Sequence, residues 1–392
     1  MIQLQNIYTE RSNDRVYLKS DCIIGGEQQT LWYATASEHE KHISITNADA
    51  FILFIFIYAV RENLEFKSIV PISKRLKFGL LEVLLPAFQE MGFQAKTEQF
   101  SFEQEDETTY PEAKAVGTAM SFGVDSFFTF IKGLNSIEQL NYLTLFNAGA
   151  FGQDGGKKAA ELFQDMKSKV HDFASENNLG FIWIDTNLNE IFKMPFVQSH
   201  TYRNFSCVLM LQKLFKTYYY ASTFSVKDFK LTQSDSSNYE LLNSKAIATN
   251  SIEFHVSGLM QNRTNKTKVI AGSEITFDNL NVCLITPDNK NIKTANRTQN
   301  CSKCFKCIRT MVTLDIIGEL NKFSKVFDLA VYNKNKNKYL ASLLYKKYRA
   351  KDDYAKDIFK EAKVQKYHIA PIVYYYAVLR AFQPILRKIK NA

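Results

Sequence analysis

Ala119-Met120-Ser121-Phe122-Gly123-Val124-Asp125-Ser126 is the stretch on which the fold turns. An apolar run, Ala115 to Met120, is cut by a serine and a glycine and resumes as the apolar Phe127 to Leu134. The pattern predicts a strand over 115–120, a tight turn, and a helix over 127–134. A turn that holds a pyrophosphate needs small residues, free backbone N–H groups and a helix N-terminus aimed at the anion. Ser121 and Gly123 supply the turn, and Val124, Asp125 and Ser126 enter the helix. The hydroxyls of Ser121 and Ser126 are further donors. An ordinary strand-to-helix turn containing one glycine reads the same way on its own.

Downstream the pattern repeats. Tyr142 to Phe146, Phe181 to Asp185, Tyr218 to Ser222, Ile252 to Val256 and Asn281 to Ile285 read as short strands. Helices are expected over Lys157 to Phe173 and about 202–216. Short apolar strands alternating with helices predict an α/β fold, a parallel sheet with helices on both faces. Ligands bind such sheets at the carboxyl ends of the strands.

Upstream, Arg15 to Lys19, Leu31 to Ala34 and Gln94 to Phe102 read as strands, Ser68 to Val70 ends a further short strand, and helices are expected over about 48–61 and 72–91. Glu103-Gln104-Glu105-Asp106-Glu107-Thr108-Thr109-Tyr110-Pro111 is acidic, polar and closed by proline, so it marks a boundary. The expected organisation is an α+β N-terminal domain over 1–110, the sheet domain with its cysteine cluster over 111–322, and a helical C-terminal extension over 323–392. The last helix, Ile372 to Ile389, is aromatic and basic at its end. A helix packed on the core is the favoured reading, and a membrane-surface helix the other.

Cys301-Ser302-Lys303-Cys304-Phe305-Lys306-Cys307 carries three cysteines at C-x2-C-x2-C spacing. A turn of this kind directs its sulfurs to one point, and zinc asks for four ligands in a tetrahedron. Cys283, in the strand expected just upstream, is the fourth candidate. Three cysteines also suit an iron–sulfur cluster with an open position; the fourth cysteine and the helix after Cys307 favour zinc. A closed four-cysteine site is structural. Cys22 and Cys207 read as ordinary buried cysteines.

The chain has 392 residues, enough for about two to three domains. Its hydrophobic content of 46% and aromatic content of 14% exclude a disordered chain. A formal charge of +9 admits an anionic partner, although much of the excess lies in the C-terminal third and reads as a solvated face. Met1-Ile2-Gln3-Leu4-Gln5 has neither a basic nor an apolar signal region. The apolar run from Ala50 to Val60 is too short to span a bilayer. Six cysteines, three of them clustered, fit a reducing compartment and metal binding, so a cytoplasmic location is expected.

The turn resembles the Ser-Gly-Gly-x-Asp-Ser signature of the PP-loop ATP pyrophosphatase superfamily, with Phe122 in place of the first glycine. With Tyr202-Arg203-Asn204 and the cysteines, it resembles 7-cyano-7-deazaguanine synthase and its relatives over about residues 115–315. Arg203 and Asn204 match that family's Arg-Asn pair at the head of a central helix. Cys283, Cys301, Cys304, Cys307 and the following Arg309 match its zinc segment, although Asn281-Val282 replaces a Trp-Ser pair. Residues 1–110 and the C-terminal extension have no counterpart, so a divergent branch is implied. Relatives with such additions occur in polysaccharide clusters and in anti-phage operons, where some are thought to attach a deazaguanine to a protein.

The resemblance implies a HUP-like fold and an AMP-forming C–N ligase. ATP adenylates a carboxylate or amide, and a nitrogen nucleophile then displaces AMP. ATP and Mg2+ would be taken at Ser121, Gly123, Val124, Asp125 and Ser126, and a structural Zn2+ by the four cysteines. Asp125 would orient the magnesium or the pyrophosphate, and Arg203 would neutralise phosphate or grip a carboxylate. Arg263 and Lys266 lie where the family places a basic helix start and are read as phosphate ligands. Asn147 and Asp185 end core strands, where an adenine or ribose contact is expected; a turn role suits both equally. His200 suits acid–base work or a structural role. Asp235, in the loop Gln233 to Asn238, suits a substrate cover or a plain loop. The acceptor is a small-molecule carboxylate or a protein group, and a homodimer is compatible with the reading. The alternatives are a PP-loop enzyme that modifies tRNA, permitted by the charge, and a non-catalytic nucleotide-binding subunit disabled by Phe122. No basic–aromatic stripe for RNA stands out in 1–110.

Overall fold

The computed structural model describes residues 1–283 and 300–390, with 383–390 as helix backbone. The chain divides into two compact units. One takes Met1–Met120 and Thr129–Leu259; the other takes Ser121–Phe128, 260–283 and 300–390.

The first unit holds every strand assigned in the described residues. In chain order these are β1 (Ile2–Leu4), β2 (Tyr8–Ser12), β3 (Arg15–Ile24), β4 (Glu27–Ala36), β5 (Phe66–Ser68), β6 (Ile72–Ser73), β7 (Phe100–Phe102), β8 (Glu105–Asp106), β9 (Ala115–Ala119), β10 (Tyr142–Asn147), β11 (Gly180–Thr186), β12 (Phe215–Ala221) and β13 (Glu253–Ser257). Eleven form one sheet in the order β13-β12-β9-β10-β11-β4-β3-β1-β5-β7, with β2 paired to β3. The run β13 to β11 is parallel throughout, as the alternation of short apolar strands and helices requires. The mixed α/β architecture with a large, mostly parallel sheet follows.

Residues 1–110, expected as a separate domain, share this sheet. β4 pairs antiparallel with β11, Ala34 opposite Asp185 and Tyr33 opposite Thr186. Trp32 N–H donates to Asn187 Oδ1 at 2.8 Å, and Thr186 Oγ1 donates to the Trp32 carbonyl at 2.8 Å. The apolar helix α1 (Asp49–Glu62) is buried almost all round, as such a composition demands. It ends at Asn63 in the left-handed conformation, φ 52°. The segment 74–90 is one helical run, α2 (Lys74–Phe78), a π turn (Gly79–Leu84) and α3 (Leu85–Glu90).

α4 (Val124–Leu134) starts earlier than the apolar run alone suggests, at the residue after Gly123. α5 (Lys157–Glu176) covers β10 and β11, and α6 (Leu188–Phe192) follows. α7 (Phe196–Leu209) sits upstream of the helix expected over 202–216, because Pro195 caps its start and Phe215 already belongs to β12. It packs against α1. α8 (Glu240–Ala246) packs on β13. The strand expected over Gln94 to Phe102 shrinks to β7, preceded by a 3-10 turn at Thr97–Gln99.

The second unit is helical: α9 (Arg263–Ala271), α10 (Phe305–Ile316), α11 (Leu329–Arg349), α12 (Asp353–Val364) and α13 (Pro371–Lys390). Three of the starts have a side-chain cap. Asn262, Asp328 and Asp352 accept the N–H groups of Asn265, Val331 and Ala355 at 2.9, 2.9 and 2.8 Å. α10 packs against α9, α11 and α12, and α13 packs on α11. Residues 281–283 are not a strand, and the rest of the strand expected there lies outside the described residues. No described helix is long and apolar enough to cross a membrane.

Candidate functional site

The turn leaves β9 and enters α4 as the sequence pattern demands. Phe122 has φ 57° and a ring with 0% exposure, 5.9 Å from that of Phe127. The position therefore adopts the left-handed backbone that a glycine takes without strain, while the side chain turns inward. Ser126 ties the turn together. Its Oγ donates to the Gly123 carbonyl at 3.1 Å and lies 3.1 Å from Ser121 Oγ. Phe127 N–H donates to the Gly123 carbonyl at 3.0 Å. Val124 is buried, whereas Ser121 is exposed. The first N–H groups of a helix such as α4 have no intrahelical acceptor, which is what lets a helix start receive an anion.

Cations gather around this helix start. Arg263 Nη2 lies 2.5 Å from one oxygen of Asp125, and Lys266 Nζ lies 3.4 Å from the other. Both come from the first turns of α9. Lys306 and Arg309, on the first turns of α10, complete the group. Burial, then the closeness of Arg263, holds Arg309 below its ordinary value, at about 10. Burial, then Arg309 and Arg263, holds Lys306 down as well. Among the described residues, Asp125 opposes these four cations, with Asp352 and Tyr354 beside Arg309 and Cys304 beside Lys306. Such an excess in a half-buried place favours an anionic ligand.

The cysteines converge. The sulfurs of Cys283, Cys301, Cys304 and Cys307 all lie within 4.8 Å of one another. Cys304 Sγ is 3.4 Å and Cys301 Sγ 3.8 Å from Cys307 Sγ. Four such donors could hold a metal ion such as zinc. As bare thiols they oppose one another's ionisation: the hydrogen bond from Cys304 pushes Cys283 up to about 12, and Cys283 and Cys304 push Cys307 up further. A divalent cation relieves that repulsion.

The cluster is locked from three sides. Ser302 takes φ 56°, letting the chain turn between Cys301 and Cys304. Its Oγ accepts Asp328 N–H and its carbonyl accepts Tyr339 Oη–H, each at 2.9 Å. Asn300 Oδ1 accepts the N–H groups of Val282 and Cys283 at 2.7 and 3.1 Å. Its amide donates to the Leu280 and Val326 carbonyls at 2.8 and 3.1 Å. Cys283 is thus held in place by a side chain adjacent to the cluster.

Asn147 and Asp185 end neighbouring strands and pair directly. Asn147 Nδ2 donates to Asp185 Oδ1 at 2.8 Å, and Arg15 Nη1 lies 3.2 Å from Asp185 Oδ2. Asn147 Oδ1 is buried with no hydrogen-bond partner. Arg203 is fully buried, and burial lowers its guanidinium to about 10. It donates to Ser199 Oγ and to the carbonyls of Ala148, Gln153 and Met194, at 2.9, 3.4, 3.3 and 2.6 Å. The guanidinium expected to face phosphate is spent on the chain that follows β10. Gly149, at φ 98°, lies so near it that a Cβ would stand 2.5 Å from Nη1. His200 Nε2 lies 3.4 Å from Asp235 Oδ1, and its Nδ1 lies 3.3 Å from Tyr220 Oη. Asp235 also accepts Ser237 N–H at 2.9 Å, which fixes the loop.

Ser121, Gly123, Val124, Asp125, Ser126, Arg263, Lys266 and the four cysteines therefore belong to one unit, and Asn147, Asp185 and Arg203 to the other. Sequence reasoning missed Asn281, Asn300, Lys306 and Tyr354. Lys306, inside the cysteine motif, carried a signal in its spacing to Arg309; the others carried none. Compared with protein-family models, curated proteins and solved structures, the chain has no match in any of the three.

Proposed function

We propose that this protein is an ATP-dependent, AMP-forming ligase of the PP-loop class, a divergent relative of 7-cyano-7-deazaguanine synthase with a structural zinc. The observation that carries the reading is the turn itself. Phe122 keeps the left-handed backbone at φ 57° with its ring buried, so the turn holds a glycine-like backbone at the start of α4, where Asp125 meets Arg263 and Lys266.

The pyrophosphate of ATP sits on the first N–H groups of α4, and Ser121 Oγ adds a donor. An acceptor carboxylate oxygen attacks the α-phosphorus, the α–β bond breaks, and pyrophosphate leaves. A nitrogen nucleophile then attacks the acyl carbon, loses a proton, and expels AMP. Arg263 and Lys266 neutralise the departing charge, where fixed cations are most effective. The turn lacks the lysine with which a Walker sequence reaches the terminal phosphates, which disfavours γ-phosphoryl transfer. Magnesium accompanies the nucleotide. Arg203 is a positioning residue for the chain after β10.

Four cysteine donors, with no nitrogen or oxygen donor beside them among the described residues, suit zinc. The acceptor is a deazaguanine-like acid, another small acid, or a protein group. Calorimetric titration with ATP and magnesium tests the reading: binding that Lys266→Met weakens supports it, and no binding by the wild type refutes it.

A further inference from the structure

α9, α10 and α12 enclose a small cavity lined by Arg263, Thr264, Thr267, Arg309, Thr310 and Tyr354, among others. Arg309 is 7% exposed. Its guanidinium stands 4.4 Å from the centroid of the Tyr354 ring and 5.4 Å from that of Phe305. Among the described residues it makes no hydrogen bond and no ion pair. Arg263 lies alongside, 5.8 Å from the same tyrosine ring, with one arm on Asp125, a hydrogen bond to the Tyr354 hydroxyl and, among the described residues, no acceptor for its buried Nε.

Most of the other hydroxyls of the cavity are committed. Thr267, Thr310 and Thr313 donate their hydroxyls to the carbonyls of Arg263, Lys306 and Arg309 at 2.8, 2.9 and 2.8 Å. Beyond the Thr264 hydroxyl, the donors left over are guanidinium donors. A buried guanidinium without an acceptor is costly, and its planar fork fits an oxyanion in two-point fashion.

We infer that this cavity is an oxyanion site separate from the Ser121–Ser126 turn, in which Arg309 and Arg263 grip one carboxylate or phosphate group. Tyr354, from the C-terminal extension, is its positioning residue: the ring lies against both guanidinium groups and orients them. The cavity is too small for a whole molecule, so it takes the acid end of a larger one. The inference rests on the reading above only for which molecule that is, the acceptor through its carboxylate or the nucleotide through a phosphate.

The test uses the full-length, metal-loaded protein titrated with inorganic phosphate and with benzoate, each with and without saturating ATP. The wild type is expected to bind at least one of them. Arg309→Gln should weaken that binding about tenfold or more. Tyr354→Leu, which keeps both arginines, should weaken it several-fold (about 3–5 times) with the thermal melt little changed. Uptake that persists under saturating ATP assigns the site to the acceptor; uptake displaced by ATP assigns it to the nucleotide. No uptake by the wild type, or equal uptake by Arg309→Gln and Tyr354→Leu, overturns the inference. ATP binding without Arg309-dependent uptake sinks the inference and leaves the nucleotide reading. Arg309-dependent uptake without ATP binding does the reverse.

Discussion

The backbone N–H of Asn281 donates to the carbonyl oxygen of Phe122 at 2.8 Å. One bond thus ties the Ser121–Ser126 turn to the segment that delivers Cys283, two residues further on. Asn300 grips Val282 and Cys283 from the other side. The cysteine cluster and the turn are consequently one construction, and disturbing the first should loosen the second.

The purified protein is expected to carry about one zinc per chain. Cys304→Ser should lose it and unfold the helical unit before the sheet, because structural metal binding is folding free energy. Elemental analysis with a two-probe melt checks this. An iron–sulfur absorption band, or a full-strength fold without metal, would be the contrary result.

Asn300→Ala removes an acceptor of two N–H groups and a donor to two carbonyls, all buried or half-buried. A loss of about 2–4 kcal/mol is expected, with faster release of metal to a chelator. Denaturant unfolding and a zinc-dye assay read the two effects.

Phe122→Gly separates the backbone role from the side-chain role. Glycine relieves roughly 1–2 kcal/mol of left-handed strain, but emptying a buried phenylalanine position costs about 3–5 kcal/mol. Net destabilisation is expected, with ATP affinity retained within about threefold, a change of well under 1 kcal/mol. A large gain in affinity would mean that the ring obstructs the site after all.

Asp125→Asn leaves Arg263 and Lys266 without their shared counter-charge. The cost should be about 1–3 kcal/mol, more than the few tenths a lone carboxylate at a helix start contributes. AMP formation should fall by about two orders of magnitude or more. Thermal melts and product analysis check both.

Burial raises the Asp49 carboxyl from its ordinary 3.8 to about 6, despite hydrogen bonds from Ser73 and Gln212. The folded state then holds the proton more tightly than the unfolded chain does. The resulting stability is fully present below about pH 4 and is lost as pH rises through 6. A shift of that size is on the order of 3 kcal/mol. Asp49→Asn should flatten stability between pH 4 and 6, as read from urea unfolding at several pH values.

The turn and the cysteine spacing were legible because each is local: a few consecutive residues dictate a strand-to-helix turn or a convergence of sulfurs. The parallel strands were legible from their alternation with helices. The place of residues 1–110 was not, because the pairing of Ala34 with Asp185 spans a distance in sequence that no local pattern encodes. Arg203 was legible as a special arginine but not in its use, since its acceptors are main-chain carbonyls that any residue supplies. Asn300 and Tyr354 escaped for the same reason: an asparagine in a polar loop and a tyrosine in a helix carry no mark of the groups they meet.

The central claim is cleavage of ATP between its α- and β-phosphates. Its most direct test is product analysis of α-labelled ATP with the metal-loaded protein, magnesium, ammonia and 7-carboxy-7-deazaguanine or a candidate protein acceptor. The account predicts labelled AMP with stoichiometric pyrophosphate, lost in Asp125→Asn. Labelled ADP with inorganic phosphate, or intact ATP from a wild type that binds no nucleotide, would contradict it.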